Sequence, residues 1–215
     1  MPVGGFRTLL SGEQWSTLLA AGSPRRYRPG DTLVRQGDPG GFLLVLQAGR
    51  VQVLRTEADG SRLLLEVRAA GDLIGEMAAR DSGVRNATVV AVDECFARQL
   101  PIPVFERLPA AALLSDYIVS KINQHLPVRV QLAHFRPTQK VARLFAELVA
   151  LAGPELTDPR RIPLSQQEVA DALGLSRSKV AAVVADLRTE GVLGPGPKLT
   201  VLDRDALLRH TSTVS

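Results

Sequence analysis

Asp72-Leu73-Ile74-Gly75-Glu76-Met77-Ala78 and, a few residues on, Val84-Arg85-Asn86-Ala87-Thr88-Val89 decide how this chain is read. Apolar, β-type residues lead into the segment and out of it. Between them a Gly-Glu pair is followed nine positions later by an arginine, across a loop of small residues (Ala78, Ala79, Ser82, Gly83). Small residues let backbone come close to a ligand, and N–H groups at the start of a short helix form a nest for an anion. An arginine there can pair bidentately with a phosphate, whereas a glutamate can only accept, for instance from a sugar hydroxyl. The same residues also fit a surface Glu–Arg pair on a β-loop, worth under ~1 kcal/mol. The flanking sequence has to separate the two readings.

Upstream, residues 6–22 read as a short helical lead-in, with Ser11 able to cap the turn that holds Glu13, Gln14 and Trp15. From Arg26 to about Leu100, short apolar runs alternate with Gly, Pro and Asp turn signals such as Gly37-Asp38-Pro39-Gly40-Gly41 and Ala48-Gly49-Arg50. The runs are Thr32–Val34, Phe42–Leu46, Val51–Leu54, Leu63–Val67, Thr88–Val92 and Cys95–Leu100. Regular short strands with such turns predict a sandwich or barrel-like roll.

Downstream the period changes. Val104, Phe105 and Leu108 suggest a short helix leading to Pro109. Leu113, Leu114, Tyr117, Ile118, Ile122 and Leu126 then recur at threes and fours, an amphipathic helix with one apolar stripe. That stripe fits either a seam with a second copy or packing on the chain's own roll. Pro127 predicts a bend, or the start of a second helix. Phe135-Arg136-Pro137 reads as a hinge and Thr138 as the cap of a further helix, closed by Ala152-Gly153-Pro154. Glu155 to Pro163 reads as a loop.

Ser165-Gln166-Gln167-Glu168 has the form of a capping box, Gly174 supplies a turn, and Ser176 can cap a second helix over Arg177–Leu187. Two short helices with glycine between them form the helix-turn-helix pattern. Val180, Val183, Val184 and Leu187 fall on one side, leaving Arg177, Ser178 and Lys179 exposed at the end that enters the major groove. Arginine reads guanine bidentately, and lysine or serine suits phosphate. Gly191 to Leu202 reads as strand, tight turn and strand, the wing of a winged helix. An ordinary helical hairpin with a basic end is the plainer alternative.

Together these motifs resemble the Crp/Fnr transcription regulators, in that family's order and over most of the chain. Gly75-Glu76-Met77-Ala78 with Arg85-Asn86-Ala87-Thr88 looks like the phosphate-binding cassette of its cyclic-nucleotide-binding domain, and Glu168 with Leu175-Ser176-Arg177 resembles its DNA-binding signature. The resemblance implies an α+β chain: an antiparallel β-roll effector domain (1–108), a long dimerisation helix and hinge (109–136) and a C-terminal winged helix-turn-helix (137–215). It implies effector contacts from Gly75, Glu76, Met77, Arg85 and Asn86, with Glu76 on the ribose 2′-hydroxyl and Arg85 on the cyclic phosphate. It implies DNA contacts from Ser165, Gln167, Ser176, Arg177, Ser178 and Lys179. The expected function is sequence-specific binding to a two-fold symmetric DNA operator by a homodimer under control of a cyclic nucleotide, cAMP first, with RNA polymerase as a further partner. Departures exist. Asn86 stands where the family usually has Ser or Thr, His125 and Leu126 stand at about the level of its adenine-contacting hydroxyls, and Ser178 and Ala182 replace familiar base-readers. The alternatives are a degenerate pocket, with DNA bound without cyclic nucleotide or under another effector, and a regulatory module acting on a protein partner.

Composition narrows the classes. The 215 residues, 45% hydrophobic and 22% charged, are ordinary globular usage, and a net charge of +4 permits a polyanionic partner without demanding one. One cysteine excludes an internal disulfide and a cysteine-held iron–sulfur cluster, and three scattered histidines offer no metal-ligand spacing. No apolar run reaches membrane-spanning length and no signal pattern opens the chain, so a cytoplasmic protein is expected. No G-x-S-x-G, Walker A or catalytic His/Cys/Asp set occurs, and neither enzyme activity nor a bound cofactor is expected.

Overall fold

The computed structural model describes residues 5–80, 83–132 and 135–211, with backbone alone for 80 and 124–132. Among the described residues eight strands make the N-terminal half: β1 (Ser23–Tyr27), β2 (Thr32–Val34), β3 (Phe42–Ala48), β4 (Arg50–Thr56), β5 (Arg62–Ala69), β6 (Leu73–Ile74), β7 (Thr88–Ala91) and β8 (Cys95–Pro101). They form two four-stranded antiparallel sheets, ordered β1-β8-β3-β6 and β2-β7-β4-β5. The uninterrupted apolar run of β3 follows from burial on both faces. Leu44 and Leu46 pack between the sheets with Val51, Val53, Ile74 and Val89, while Leu43 and Val45 face a helical layer.

That layer comprises α1 (Gly12–Ala20), α3 (Ile102–Phe105), a 3-10 turn at Pro109–Leu113 and the start of α4 (Leu114–Leu132). Between β6 and β7 sits the short α2 (Glu76–Arg80). Ser11 caps α1 by a reciprocal box with Gln14. The long helix begins at Leu114, after the 3-10 turn that opens at Pro109. Its apolar stripe divides: Leu114 and Tyr117 are buried against the roll, whereas Ile122 is 48% exposed, and Val119, outside the stripe, is 55% exposed. α4 runs as one helix through Pro127, and no second helix starts there.

The C-terminal half is built on α5 (Pro137–Ala150), α6 (Gln166–Leu173), α7 (Arg177–Thr189) and α8 (Arg204–Arg209). Thr138 is not the cap of α5. Pro137 is its first residue, and the Gln139 side chain accepts from the Arg136 N–H at 2.9 Å, because proline's fixed φ suits the first helical position. Two short strands, β9 (Arg161–Ile162) and β10 (Leu199–Thr200), pair antiparallel. The first lies in the stretch expected to be loop, and the wing is thinner than expected, with one bridge between Leu193 and Val201 beyond that pair.

The two halves share a core. Val67 of β5 and Val92 pack with Val141, Phe145, Leu148, Val169, Val184 and their neighbours. Beside that contact Arg50, 1% exposed, pairs both oxygens of Asp93 at 2.5 and 2.9 Å and donates to the Leu148 carbonyl of α5. The Gly49 N–H donates to Glu155 at 3.1 Å. Cys95 is a buried apolar filler; burial and Asp93 push its thiol up to about 12.

Candidate functional site

A cavity of about 200 Å³ opens between the β2-β7-β4-β5 sheet, α2 and α4. Its charged lining is Glu66, Arg68, Glu76, Arg85 and Lys121, and every cassette residue expected to meet an effector (Gly75, Glu76, Met77, Arg85, Asn86) lines it.

Arg85 is held in place by backbone and by a ring. Its own N–H donates to the Asp38 carbonyl and its carbonyl accepts from the Gly37 N–H, both at 2.9 Å. The guanidinium donates to the Gly75 carbonyl at 3.1 Å and to the Phe42 carbonyl at 2.7 Å, and lies 4.5 Å from the Phe42 ring centroid. Gly75 is needed twice here. Its φ is +87°, and a Cβ on it would lie 2.0 Å from an Arg85 terminal nitrogen. Arg85 is 3% exposed, yet among the described residues no carboxylate stands within ion-pair distance. Burial pulls its pKa below the ordinary arginine value, with Glu76 and Asp38 acting in the other direction. A buried guanidinium held by neutral carbonyls carries charge that an anion would stabilise.

Glu76 is held differently. Arg68 of β5 grips both its oxygens at 2.9 Å, donates to Glu66 at 2.5 and 2.8 Å, and to the Leu73 carbonyl at 2.6 Å. Burial works against the Arg68 charge, but Glu76 and Glu66 outweigh it and hold its pKa well above the ordinary value. A register shift where β5 passes Val53 and Leu54 of β4 leaves Leu65 as an extra residue. Across that bulge Leu65, Glu66 and Arg68 line the cavity while Leu64 and Val67 meet the C-terminal core. Neither Arg68 nor Lys121 is singled out by sequence. The sole signal is a charged i, i+2 pair, Glu66 and Arg68, beside an apolar run.

The cavity also touches α4. Lys121 pairs with Asp72 at 2.9 Å, and the buried Tyr117 hydroxyl donates to the same Asp72 oxygen at 2.9 Å. Asp72 opens the cassette, so α4 is tied to the segment that carries Glu76. The side chains of His125 and Leu126, expected at base level, and Ser82 of the cassette loop lie outside the described residues.

The second site is an exposed helix head. Ser165 and Glu168 close the expected capping box at 3.2 and 2.7 Å. Gly174 takes the left-handed conformation (φ 62°, ψ 38°) and Leu175 N–H closes back on the Ala170 carbonyl. Ser176 caps α7 by accepting from Lys179 N–H at 3.3 Å and lies 3.1 Å from the Ser178 hydroxyl. Val180, Val183, Val184 and Leu187 are buried; Gln167, Arg177, Ser178 and Lys179 are exposed, with Gln167 donating to Asp171. Cations at a helix N-terminus oppose the helix dipole, so this end suits an anionic partner better than it suits the isolated helix. Arg188 of α7 donates to the Gly194 and Gly196 carbonyls and so fastens the wing turn to the same helix.

These two sites coincide with two known domain types. Residues 24–111 match the cyclic nucleotide-binding domain, and residues 139–210 match the Crp-like helix-turn-helix domain. The chain is 30% identical over 207 residues to the cyclic AMP receptor protein of Thermus thermophilus, covering 94% of this chain and 93% of that one. The chain belongs to the Crp/Fnr family of transcription regulators. Another member, the CRP-like protein Clp of Xanthomonas euvesicatoria, is 27% identical over 199 residues, covering 86% and 85% of the two chains. Among solved structures, a Crp-family regulator of Thermus thermophilus shares the fold with a TM-score of 0.74 at 24% identity, over 87% of this chain and 96% of that one. The CLP regulator of Xanthomonas campestris, described as c-di-GMP responsive, does so at 0.71 and 24%, over 90% and 100%. As a Crp/Fnr member the chain joins an effector-type roll to a DNA-binding winged helix, as the sequence order predicts.

Proposed function

We propose that this regulator is switched by one cyclic mononucleotide, cAMP first, seated in the roll cavity with its phosphate on Arg85 and its ribose 2′-hydroxyl on Glu76. The observation that carries this reading is the Arg85 guanidinium, buried at the cavity with neutral carbonyls and a ring for neighbours. Gly75, Met77 and Asn86 would complete the contact, Asn86 donating through its amide. A second copy would cover the exposed Val119 and Ile122 of α4, and the homodimer would set two α7 heads one DNA turn apart on a two-fold operator. There Arg177 would read a base, while Lys179, Ser178, Ser176, Ser165 and Gln167 would meet the backbone. The site of action would be cytoplasmic, with output to RNA polymerase. Among the described residues no helix is long and apolar enough to cross a membrane.

A second reading keeps the DNA binding and changes the effector. Asn86 in place of a hydroxyl favours it, as does the likeness to a regulator described as c-di-GMP responsive. Calorimetric titration with cAMP and with cGMP tests the leading reading. Binding that weakens more than about 10-fold in Arg85→Ala is expected, the loss of a charged hydrogen bond. No heat from folded, dimeric protein would leave the second reading.

A further inference from the structure

Two buried arginines face one cavity, and their donors are disposed in opposite ways. A guanidinium has five N–H groups. All five of Arg68 are committed: Nε to Glu66, one terminal nitrogen to Leu73 and Glu76, the other to Glu66 and Glu76. Arg85 has two directed at carbonyls among the described residues. Arg68 is therefore no phosphate ligand, because it would have to release a buried carboxylate to become one.

A carboxylate offers about four acceptor positions, and Arg68 takes two of those on Glu76. The remaining two point away from Arg68, on a side chain that lines the cavity. Glu76 is 4% exposed, so Arg68 rather than water sets its orientation. Arg68 cannot turn, since Glu66 and the Leu73 carbonyl fix the same plane from two other sides.

We infer that Arg68 is the positioning residue for sugar recognition: it holds the Glu76 carboxylate in a fixed plane so that its remaining lone pairs accept the ribose 2′-hydroxyl of a bound cyclic nucleotide. The inference rests on the effector reading of Glu76 and Arg85 given above. Because Arg68 bonds both Glu66 and Glu76, the acceptor offered to the hydroxyl is fixed by the protein itself.

The test compares cAMP with 2′-deoxy-cAMP, and cGMP with its 2′-deoxy analogue, on wild type and on Arg68→Lys. Lysine preserves the buried positive charge but has no fork to span both Glu76 oxygens and Glu66. Wild type should prefer the ribonucleotide by about 10-fold or more. In Arg68→Lys that ratio should fall below about 3-fold, while the 2′-deoxy ligand changes by less than about 2-fold, its phosphate contact being intact. An unchanged ratio, or equal weakening of both ligands, would overturn the inference and leave Arg68 a structural residue. Wild type that binds neither cyclic nucleotide would overturn the effector reading and this inference together. Should Arg68→Lys fail to fold, Glu66→Gln loosens the same clamp from its other side and must lower the same ratio.

Discussion

The cations of the roll and those at the head of α7 have the same chemistry and opposite surroundings. Arg68 and Arg85 are buried, and each is fixed in position by protein neighbours. Arg177 and Lys179 are exposed and make no ion pair among the described residues. A buried cation in a set plane can discriminate one small anion, because the orientation is already fixed and the local dielectric is low. Exposed cations keep their hydration and freedom. They suit a long polyanion, where release of counterions drives binding and only one or two side chains need to read a base. Under the proposed function one chain would use such residues in two ways, Arg85 for one small anion and the head of α7 for a long polyanion.

The sharpest way to break this contrast is to strip a buried cation of its partner. Asp93→Ala leaves Arg50 uncompensated where the two halves meet, and should lower unfolding stability in urea by about 3–5 kcal/mol; a loss below about 1 kcal/mol would mean that water reaches Arg50. Next in size is Arg85→Ala, which should abolish the effector dependence of DNA binding while leaving ligand-free affinity for DNA unchanged, seen by fluorescence anisotropy with and without cAMP. Arg177→Ala should remove about 1–3 kcal/mol of discrimination at one operator position, measured against single-base variants. Lys179→Ala should weaken all sequences alike and reduce the salt slope by about 1. If those two profiles exchange, the base-reading and phosphate roles are reversed. Smallest is Glu94→Ala. Its pair with Arg26 is short, 2.5 Å, but largely solvated, so stability should change by less than about 1 kcal/mol.

Much of the fold is legible because its signals are local. The capping boxes at Ser11 and Ser165, the left-handed Gly174 and the Ser176 cap each lie within a few residues of what they organise. The cassette is legible for the same reason, since Gly75, Glu76 and Arg85 all lie in the short connection between β6 and β7. β1 is missed because Ser23–Tyr27 is almost wholly exposed and polar; its strand state comes from pairing with β8, some seventy residues on. β9 is missed likewise, being two residues completed by β10. A polar edge strand carries no alternation to read.

By itself, then, the sequence determined the order of modules, the residues of the cassette and the exposed head of α7, because period, caps and turn chemistry act over short spans. The tertiary structure alone decided that Arg68 is bound to Glu76, that Lys121 and Tyr117 tie α4 to Asp72, and that Arg50 and Asp93 sit where roll and winged helix meet. Each of these is a charge whose worth depends on burial and on partners from another element. A residue's sequence neighbours say little about either.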